Sequence, residues 1–354
     1  MDMFENKYVT PLSDLGEFGL INLFEKNTVT KNKNTIKGIG DDAAVIEKDK
    51  KSYTLISTDM LVQGVHFDLT YVPLKHLGYK AAVVNFSDIY AMNGKPEQMV
   101  VSLAVSSKFS VEALEELYAG MLIACERYGV DLVGGDTCSS TSGLVINVSI
   151  MGTVAKEKVT YRSTAEEKNL LVVSGDLGGA YIGLQILERE KEIFKTNPNF
   201  KPELEGVDYV LERQLKPEAR QDVVELLEKL GVQPTAMIDI SDGLASEAIH
   251  LAQKSDLGIR IYEEKIPIDP VTHNKVLEFE LDPTTIALNG GEDYELLFAI
   301  KASDYDKIKA NPNLTVIGHF TEKGSGVKLI TNSNNEVDIT AQGWDAFLNK
   351  GKEE

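Results

Sequence analysis

The spacing of apolar and polar residues predicts alternating helices and strands in the first half of the chain. Apolar residues recur every three or four positions in three stretches, which we interpret as helices: 16–27, 74–91 and 110–129. Three other stretches have the short apolar runs that are typical of strands: 53–57, 99–106 and 144–154. The first of these strands is expected to deliver Thr58 and Asp59 at its end.

The same pattern restarts after residue 154. Two stretches each predict a strand, a tight turn and a helix: 170–187 and 236–255. Residues 222–231 predict a further helix, and three later stretches predict strands: 258–262, 294–300 and 315–320. The charged stretch 188–206 contains two prolines and is predicted to be a surface excursion, while 129–139 predicts a strand followed by a glycine turn.

The length of the chain supports two domains. A chain of 354 residues is too long for one typical hydrophobic core. Its content of 43% hydrophobic and 26% charged residues is that of an ordinary globular protein. We therefore expect an α/β (α+β) architecture with one domain at 1–154 and a second at 155–354.

Charge and cysteine content narrow the classes of partner. The formal net charge of −19 argues against nucleic acid, because phosphate backbones are bound through basic surfaces. The two cysteines, Cys125 and Cys138, form no CxxC pair, and no apolar run has the length of a membrane span. We expect a cytoplasmic protein that binds neither nucleic acid nor membrane.

Aspartates recur in turns beside glycines, at or near the predicted ends of strands and helices. Each one, taken singly, has an ordinary explanation, since aspartate favours turns and caps helices. Carboxylates that converge from several elements also form the oxygen-rich sites that Mg²⁺ prefers, with phosphate oxygens as further ligands. Six positions follow this pattern: Asp42, Asp59, Asp88, Asp136, Asp239 and Asp242.

The sequence contains no Walker A motif, because Gly94 and Lys95 are followed by Pro96. Residues 174–180, SGDLGGA, fit a phosphate-binding loop before a helix and equally fit a close-packed strand-to-helix turn. A nucleotide site built from separated acidic turns therefore explains the pattern better than a P-loop does.

Eight motifs between residues 38 and 347 resemble, in the same order, those of the thiamine-monophosphate kinase family. They are GIGDDAAVI, STDMLVQGVHF, KAAVVNFSDIYAMNGKPE, GGDTCSS, TYRSTA, IDISDGLASE, NGGEDYELLF and QGWDAF. This family is part of the ATP-binding superfamily that includes aminoimidazole ribonucleotide synthetase. The resemblance implies a two-domain PurM-like fold, in which N-terminal strands of two copies form a dimeric barrel beside a C-terminal α/β domain.

The resemblance also implies an activity. The chain would be a thiamine-phosphate kinase, a phosphotransferase that uses ATP to convert thiamine monophosphate to thiamine diphosphate in thiamine diphosphate biosynthesis. It would act as a homodimer with several Mg²⁺ ions. Phosphoryl transfer would be direct and in line, because the accepting phosphate oxygen is already anionic and requires neither a catalytic nucleophile nor a base.

Site residues follow from the resemblance position by position. The implied metal ligands are Asp42, Ser57, Thr58, Asp59, Asp88, Asp136, Asp239 and Asp242, with Asp41 as a supporting partner of Asp42. The implied ATP-binding residues are Gly135, Asp136, Arg162 and Ser241. The implied substrate-binding residues are His66, Glu292 and Trp344, where the tryptophan ring offers stacking and cation–π attraction to a thiazolium.

Two residues depart from the family pattern, and other interpretations are open. Met60 and Cys138 stand where small hydroxyl or basic residues are usual, and methionine cannot bind Mg²⁺. If the resemblance is set aside, a structural role fits Trp344 as well as substrate binding does, and for His66 a structural role at a strand edge is favoured. The alternatives for the whole chain are a ligase similar to aminoimidazole ribonucleotide synthetase and a non-catalytic nucleotide-binding protein.

Overall fold

The computed structural model describes residues 10–199 and 201–341. The strands are β1 (Thr35–Lys37), β2 (Ala44–Glu47), β3 (Ser52–Val62), β4 (Lys95–Ser106), β5 (Asp131–Ser140), β6 (Leu144–Ala155), β7 (Leu170–Ser174), β8 (Ala236–Asp239), β9 (Gly258–Tyr262), β10 (Leu296–Ile300), β11 (Leu314–Thr321), β12 (Val327–Ile330) and β13 (Glu336–Asp338). The α-helices are α1 (Gly16–Asn27), α2 (Leu74–Ala91), α3 (Val111–Tyr128), α4 (Gly179–Thr196), α5 (Asp208–Leu215), α6 (Gln221–Leu230), α7 (Leu244–Ser255), α8 (Pro270–Glu278), α9 (Pro283–Asn289) and α10 (Tyr305–Ile308).

The first sheet has the strand order β1-β2-β3-β6-β4-β5, with β4 and β5 parallel and the other pairs antiparallel. Alternate residues of β6 are buried against helices α2 and α3, because side chains alternate between the two faces of a strand. On the other face of the sheet, Met60 and Met151 are exposed. The sheet therefore has one face in a hydrophobic core and one face open.

Helices α2 and α3 pack closely through two glycines. A side chain at Gly78 would meet the Leu117 carbonyl, and one at Gly120 would meet the Lys75 carbonyl, each at 1.9 Å. Helix α3 is capped by Ser110, whose Oγ accepts a hydrogen bond from the Ala113 N–H at 3.3 Å. The close contact places α2 firmly beneath the sheet, and its last turn then reaches the second sheet at β8.

The second sheet has the strand order β13-β12-β9-β11-β7-β10-β8. Its strands are antiparallel except for the pair β9 and β12. Helix α7 packs against one face of this sheet and forms one hydrophobic core with it, and helix α6 forms a second core on the opposite face. Strands β7, β8 and β10 are consequently buried along almost their whole length and largely apolar, as expected for strands that are covered on both faces.

The predicted mixed α/β architecture is confirmed, and several local predictions are corrected. Over the described residues the strands form two open sheets and no closed barrel. Strand β3 continues through Val62, so Thr58 and Asp59 lie inside it and not at its end. The predicted glycine turn at Gly134 and Gly135 is wrong, because both glycines belong to β5. A side chain at Gly135 would lie 1.9 Å from the Val101 carbonyl, so the neighbouring strand requires glycine there.

The predicted surface excursion at 188–206 is wrong in its first half. Helix α4 continues to Thr196, because Ile186, Leu187 and Glu190 extend its buried face by another turn. Helix α5 was missed altogether; it is only eight residues long, and one of its two buried residues is the polar Gln214. It is α5 that carries Gln214 and Arg213 to the region described next.

Candidate functional site

Three aspartates from distant parts of the chain converge at the junction of the two sheets. Asp42 precedes β2, Asp88 lies in the last turn of α2, and Asp239 is the last residue of β8. Each offers a carboxylate oxygen, and these oxygens all lie within 4.8 Å of one another. The packing of α2 against β8 brings Asp88 and Asp239 together, because Asp88 lies in the C-terminal turn of α2 and Asp239 at the C-terminal end of β8.

Burial and mutual repulsion disfavour the charged forms of these carboxylates. Burial raises the pKa of Asp59 to about 6. Burial and the nearby Asp42 raise the pKa of Asp239 to about 7. Burial, with Asp59 and Asp239 next to it, raises the pKa of Asp88 well above its usual range. A divalent cation would relieve this repulsion, so the residues fit a magnesium site.

Hydroxyl groups hold two of the carboxylates in place. Ser57 Oγ donates to Asp88 Oδ2 at 2.6 Å and lies 3.0 Å from the Asp42 carbonyl oxygen. Ser87 Oγ donates to Asp239 Oδ2 at 2.5 Å. Ser87 was missed from the sequence, although it directly precedes the predicted ligand Asp88 in α2.

Arg162 pairs with Asp42 through two contacts. Its Nη2 lies 2.5 Å from Asp42 Oδ1, and its Nε donates to Asp42 Oδ2 at 3.1 Å. Asp41 Oδ1 accepts from the Arg162 N–H at 3.2 Å, while Asp41 Oδ2 is buried without a hydrogen-bond partner among the described residues. Asp41 thus holds the backbone of Arg162 in place. The Arg162 guanidinium supplies a positive charge at the acidic cluster.

The structure does not bring the Thr58 hydroxyl to this cluster. Neighbouring residues in a strand point to opposite faces, so Ser57 and Asp59 face α2 while Thr58 faces the open side of the sheet. There, Thr58 Oγ1 bonds with the Val148 carbonyl and the Ser149 hydroxyl, each at 2.9 Å. The predicted strand ended at Ser57 and placed Thr58 and Asp59 together at its end, so the alternation of side chains beyond Ser57 was not applied.

Gly135 and Asp136 also lie apart from the cluster within this chain. Register pairs Asp59 with Val148, Val148 with Val101, and Val101 with Gly135, so three strand spacings separate β3 from β5. At about 4.8 Å for each spacing, this is roughly 14 Å. Asp136 is exposed on the edge strand.

Ser241 and Asp242 form the turn between β8 and α7. The Asp242 N–H donates to Glu247 Oε1 at 2.9 Å, and Ser241 Oγ lies 3.4 Å from the same oxygen. Glu247 is buried, and its other carboxylate oxygen has no hydrogen-bond partner in the part of the chain that the structure describes. Glu247 was another missed residue. It lies four residues after Gly243, in the first turn of α7, where it fixes the acidic turn.

A cavity of about 1100 Å³ opens beside the cluster, between the two sheets. Its lining includes predicted metal-, ATP- and substrate-binding residues: Thr58, Asp59, His66, Asp88, Asp239, Ser241, Asp242 and Glu292. A volume of this size is at the upper end for small-molecule sites and is sufficient for more than one ligand.

The predicted substrate-binding residues His66 and Glu292 line this cavity, while Trp344 lies outside the described residues. His66 Nδ1 accepts a hydrogen bond from the Val62 N–H at 3.0 Å, which leaves Nδ1 unprotonated. Burial lowers the pKa of His66, and the Glu292 carboxylate acts in the opposite direction. The imidazole is thus expected to be neutral at pH 7, with Glu292 as the negative group beside it.

The glycine-rich segment 174–180 is a close-packed turn in this structure. The Gly178 N–H donates to Asp293 Oδ2 at 2.7 Å, and the Ala180 N–H donates to Asp293 Oδ1 at 3.4 Å. Asp293 is itself held by Arg213 at 3.3 Å. A carboxylate of the same chain therefore takes the position at the start of α4 that a phosphate would take.

Two family models match most of the chain. AIR synthase related protein, N-terminal domain, matches residues 40–154, and AIR synthase related protein, C-terminal domain, matches residues 166–330. Thiamine-monophosphate kinase of Aquifex aeolicus (strain VF5) is 37% identical over 339 residues, which cover 95% of this chain and 99% of the relative. Its counterpart in Bacillus subtilis (strain 168) is 33% identical over 339 residues, covering 94% of this chain and 100% of the relative.

The chain belongs to the thiamine-monophosphate kinase family. A solved structure of AaThiL complexed with AMPPCP and TMP is similar as well, with a TM-score of 0.81 and 35% sequence identity. That similarity covers 96% of this chain and 100% of the solved one. The membership predicted from eight short motifs is confirmed by similarity along nearly the whole chain.

Within this thiamine-monophosphate kinase family member, the acidic cluster is built by both matched regions. Asp42 and Asp88 lie in the region that matches the N-terminal domain, and Asp239 lies in the region that matches the C-terminal domain. The candidate site thus depends on the contact between the two regions.

Among the helices that the structure describes, none combines the length and the apolar composition of a membrane span.

Proposed function

We propose that this chain transfers the terminal phosphate of ATP to thiamine monophosphate and forms thiamine diphosphate. The relatives that match 94–95% of this chain are named thiamine-monophosphate kinase, and the similar solved structure is complexed with TMP and the ATP analogue AMPPCP. The observation that carries the proposal is the acidic cluster at the wall of a cavity large enough for two ligands. ATP would be the co-substrate, and thiamine monophosphate the acceptor.

Magnesium is the cofactor that the cluster fits. Asp42, Asp88 and Asp239 would hold it, with Asp59 and Asp242 at the cavity wall as further ligands. When bound, it supplies positive charge that offsets the charge of the phosphate groups. Ser57 would act mainly by orienting Asp88, through the hydrogen bond between them. The Thr58 side chain faces away, so only its main chain is available to the site.

The chain's own residues would position the two substrates for direct in-line transfer. Arg162 and Ser241 would contact ATP, since both lie beside the cluster. His66 and Glu292 would contact the thiamine moiety, with Trp344 as an expected third contact. The accepting phosphate oxygen is anionic, so no group of the protein has to accept its proton, and catalysis would consist of positioning and charge neutralisation.

We also propose that the first sheet forms a barrel with a second copy of this chain. Its open face exposes Met60 and Met151, and its edge strand β5 exposes Asp136. A barrel of two copies would cover these apolar groups, and it would place Gly135 and Asp136 of one copy beside the site of the other.

Light scattering on purified protein is expected to give about twice the chain mass of 38.9 kDa. A monomer at micromolar concentration would contradict the barrel.

The domain boundary after residue 154 is part of the same proposal. Strand β6 ends at Ala155 and completes the first sheet, and β7 begins the second sheet at Leu170. Residues 1–154 would bind ATP and magnesium and form the dimer, and 155–354 would form the C-terminal α/β domain. The stretch between β6 and β7 carries Arg162, so this early part of the second domain lies next to the cluster.

Release of ADP in a coupled assay tests the proposed function. With ATP and Mg²⁺ present, ADP release is expected to depend on thiamine monophosphate, and thiamine diphosphate is expected to form in equal amount. The control omits the thiamine monophosphate. Nucleotide binding without transfer to this acceptor would favour a non-catalytic protein, and ATP-dependent formation of aminoimidazole ribonucleotide in an activity panel would favour the ligase alternative. Retention of label on the protein after incubation with γ-labelled ATP would contradict direct transfer.

A further inference from the structure

A buried lysine lies directly behind the cavity. Lys80, on α2, is 5% exposed and is surrounded by the apolar residues through which that helix packs. Its Nζ lies 2.8 Å from Glu292 Oε1 and donates to the Gln214 carbonyl oxygen at 3.1 Å. A buried ammonium group is costly unless it is paired and hydrogen-bonded, so both contacts are required to keep Lys80 in this position.

Glu292 is held at both of its carboxylate oxygens. Lys80 contacts Oε1, and Gln214 Nε2 donates to Oε2 at 2.8 Å. The backbone of Glu292 is also fixed, with φ of 66° and a hydrogen bond from its N–H to the Ser241 carbonyl at 2.7 Å. A left-handed backbone is unfavourable for a residue with a side chain, so the surrounding contacts maintain it.

The three residues come from three elements that meet only in the folded chain. Lys80 belongs to α2, Gln214 to α5, and Glu292 to the loop between α9 and β10. The Glu292 side chain is 27% exposed and lines the cavity beside His66. Gln214 also lines the cavity, and Lys80 holds the Glu292 carboxylate from the buried side.

We infer that Lys80 is a positioning residue for the substrate: it fixes the Glu292 carboxylate in the orientation that receives the cationic ring of thiamine monophosphate. This inference rests on the proposed function. Gln214 completes the arrangement by holding the second oxygen. Without Lys80, the Glu292 side chain keeps one hydrogen bond and gains rotational freedom, and its negative charge is no longer presented at one fixed point to the ring.

The Lys80→Met variant tests the inference, because methionine keeps the unbranched chain as far as its fourth atom and removes the charged amino group. We expect the KM for thiamine monophosphate to rise about tenfold, the loss typical for one charged hydrogen bond. The KM for ATP should change less than about twofold and kcat less than about threefold, since the orienting contact concerns one substrate. Lys75→Met, on the exposed side of the same helix, is the matched control and should match the wild type.

A double-mutant cycle separates positioning from a general structural role. Glu292→Gln should raise the KM for thiamine monophosphate by itself, and adding Lys80→Met should then change it less than about twofold, because Lys80 acts through Glu292. Additive effects, or equal increases of the KM for both substrates, would overturn the inference. Should Lys80→Met fail to fold in a thermal unfolding scan, Gln214→Met decides, because it releases Oε2 and is expected to raise the same KM selectively.

The two proposals fail in different ways. If the wild-type chain releases no ADP in response to thiamine monophosphate, the proposed function is wrong and this inference is wrong with it. If the wild-type chain is active and Lys80→Met and Gln214→Met both retain the wild-type KM, only the role of Lys80 is overturned.

Discussion

Replacement of Asp239 by asparagine is expected to lower turnover by about 10²–10³-fold or more, the loss typical when a preorganised electrostatic contact is removed. Asparagine keeps the shape of the side chain and an oxygen that accepts from Ser87, but it lacks the negative charge that a magnesium site requires. The same loss is expected for Asp59→Asn. The measurement is kcat for ADP release at saturating ATP and Mg²⁺.

The fold should survive the Asp239→Asn change. Asp239 is buried next to Asp42, so loss of its charge removes repulsion and leaves packing unchanged. Without divalent cations, the variant is therefore expected to unfold at the wild-type temperature or above it. Asp306→Asn is the matched control, since Asp306 is exposed and pairs only with the surface residue Lys309 among the described residues. Activity within threefold of the wild type would exclude Asp239 from the metal site.

The second large effect is expected on stability as a function of pH, measured without divalent cations. In the folded chain the pKa is about 6 for Asp59 and about 7 for Asp239, above the ordinary value of 3.8. The folded state consequently binds more protons than the unfolded state between about pH 4 and pH 7. The free energy of unfolding should fall as pH rises through this window, by roughly a few kcal/mol, since one pKa unit corresponds to about 1.4 kcal/mol.

A buried histidine has the opposite effect and must be separated from the carboxylates. Burial lowers the pKa of His250 to about 4, so its contribution to stability is lost as pH falls from about 6.5 to 4. The difference between wild type and Asp239→Asn cancels this contribution. The variant should gain stability relative to the wild type as pH rises from 5 to 7.5, as measured by urea unfolding. A difference that is constant with pH would contradict the raised pKa of Asp239.

Magnesium should reverse the loss of stability at neutral pH. A ligand that binds only the folded state stabilises it by about 2.7 kcal/mol at a hundredfold excess over its dissociation constant. The stabilisation of the wild type should be larger at pH 7.5 than at pH 5, because the carboxylates must be deprotonated to bind the ion. Asp239→Asn should lose most of it. Equal stabilisation of both proteins by Mg²⁺ would place the ion elsewhere.

The spacing of apolar residues was sufficient to predict long elements. Helix α2 is observed at the predicted residues 74–91, and β6 ends one residue after its predicted end, because a long apolar repeat favours one type of secondary structure. The prediction failed where contact with a distant strand determined the conformation. Gly134 and Gly135 signalled a turn, yet both lie in β5, and the backbone of β4 passes so close to Gly135 that a side chain there would meet the Val101 carbonyl. The local sequence contains no trace of that neighbour.

The candidate site divides in the same way. Ordered acidic motifs indicated Asp42, Asp88 and Asp239 before any contact between them was known. Their partners were missed, because Ser87 and Glu247 are ordinary residues of helices until the fold places them at Asp239 and Asp242. Lys80 was missed for the same reason, and nothing in its surrounding sequence distinguishes it from an exposed lysine.

The sequence by itself determined the family, the order of most helices and strands, and the aspartates on which a metal site depends. Those properties are local, since they rest on residue type and on spacing within one stretch of chain. The tertiary structure alone decided that Thr58 faces away from the cluster, that Asp136 lies three strands from Asp59, and that Lys80 meets Glu292. These depend on strand length, register and the contact between the two sheets, which long-range packing sets and short-range pattern does not encode.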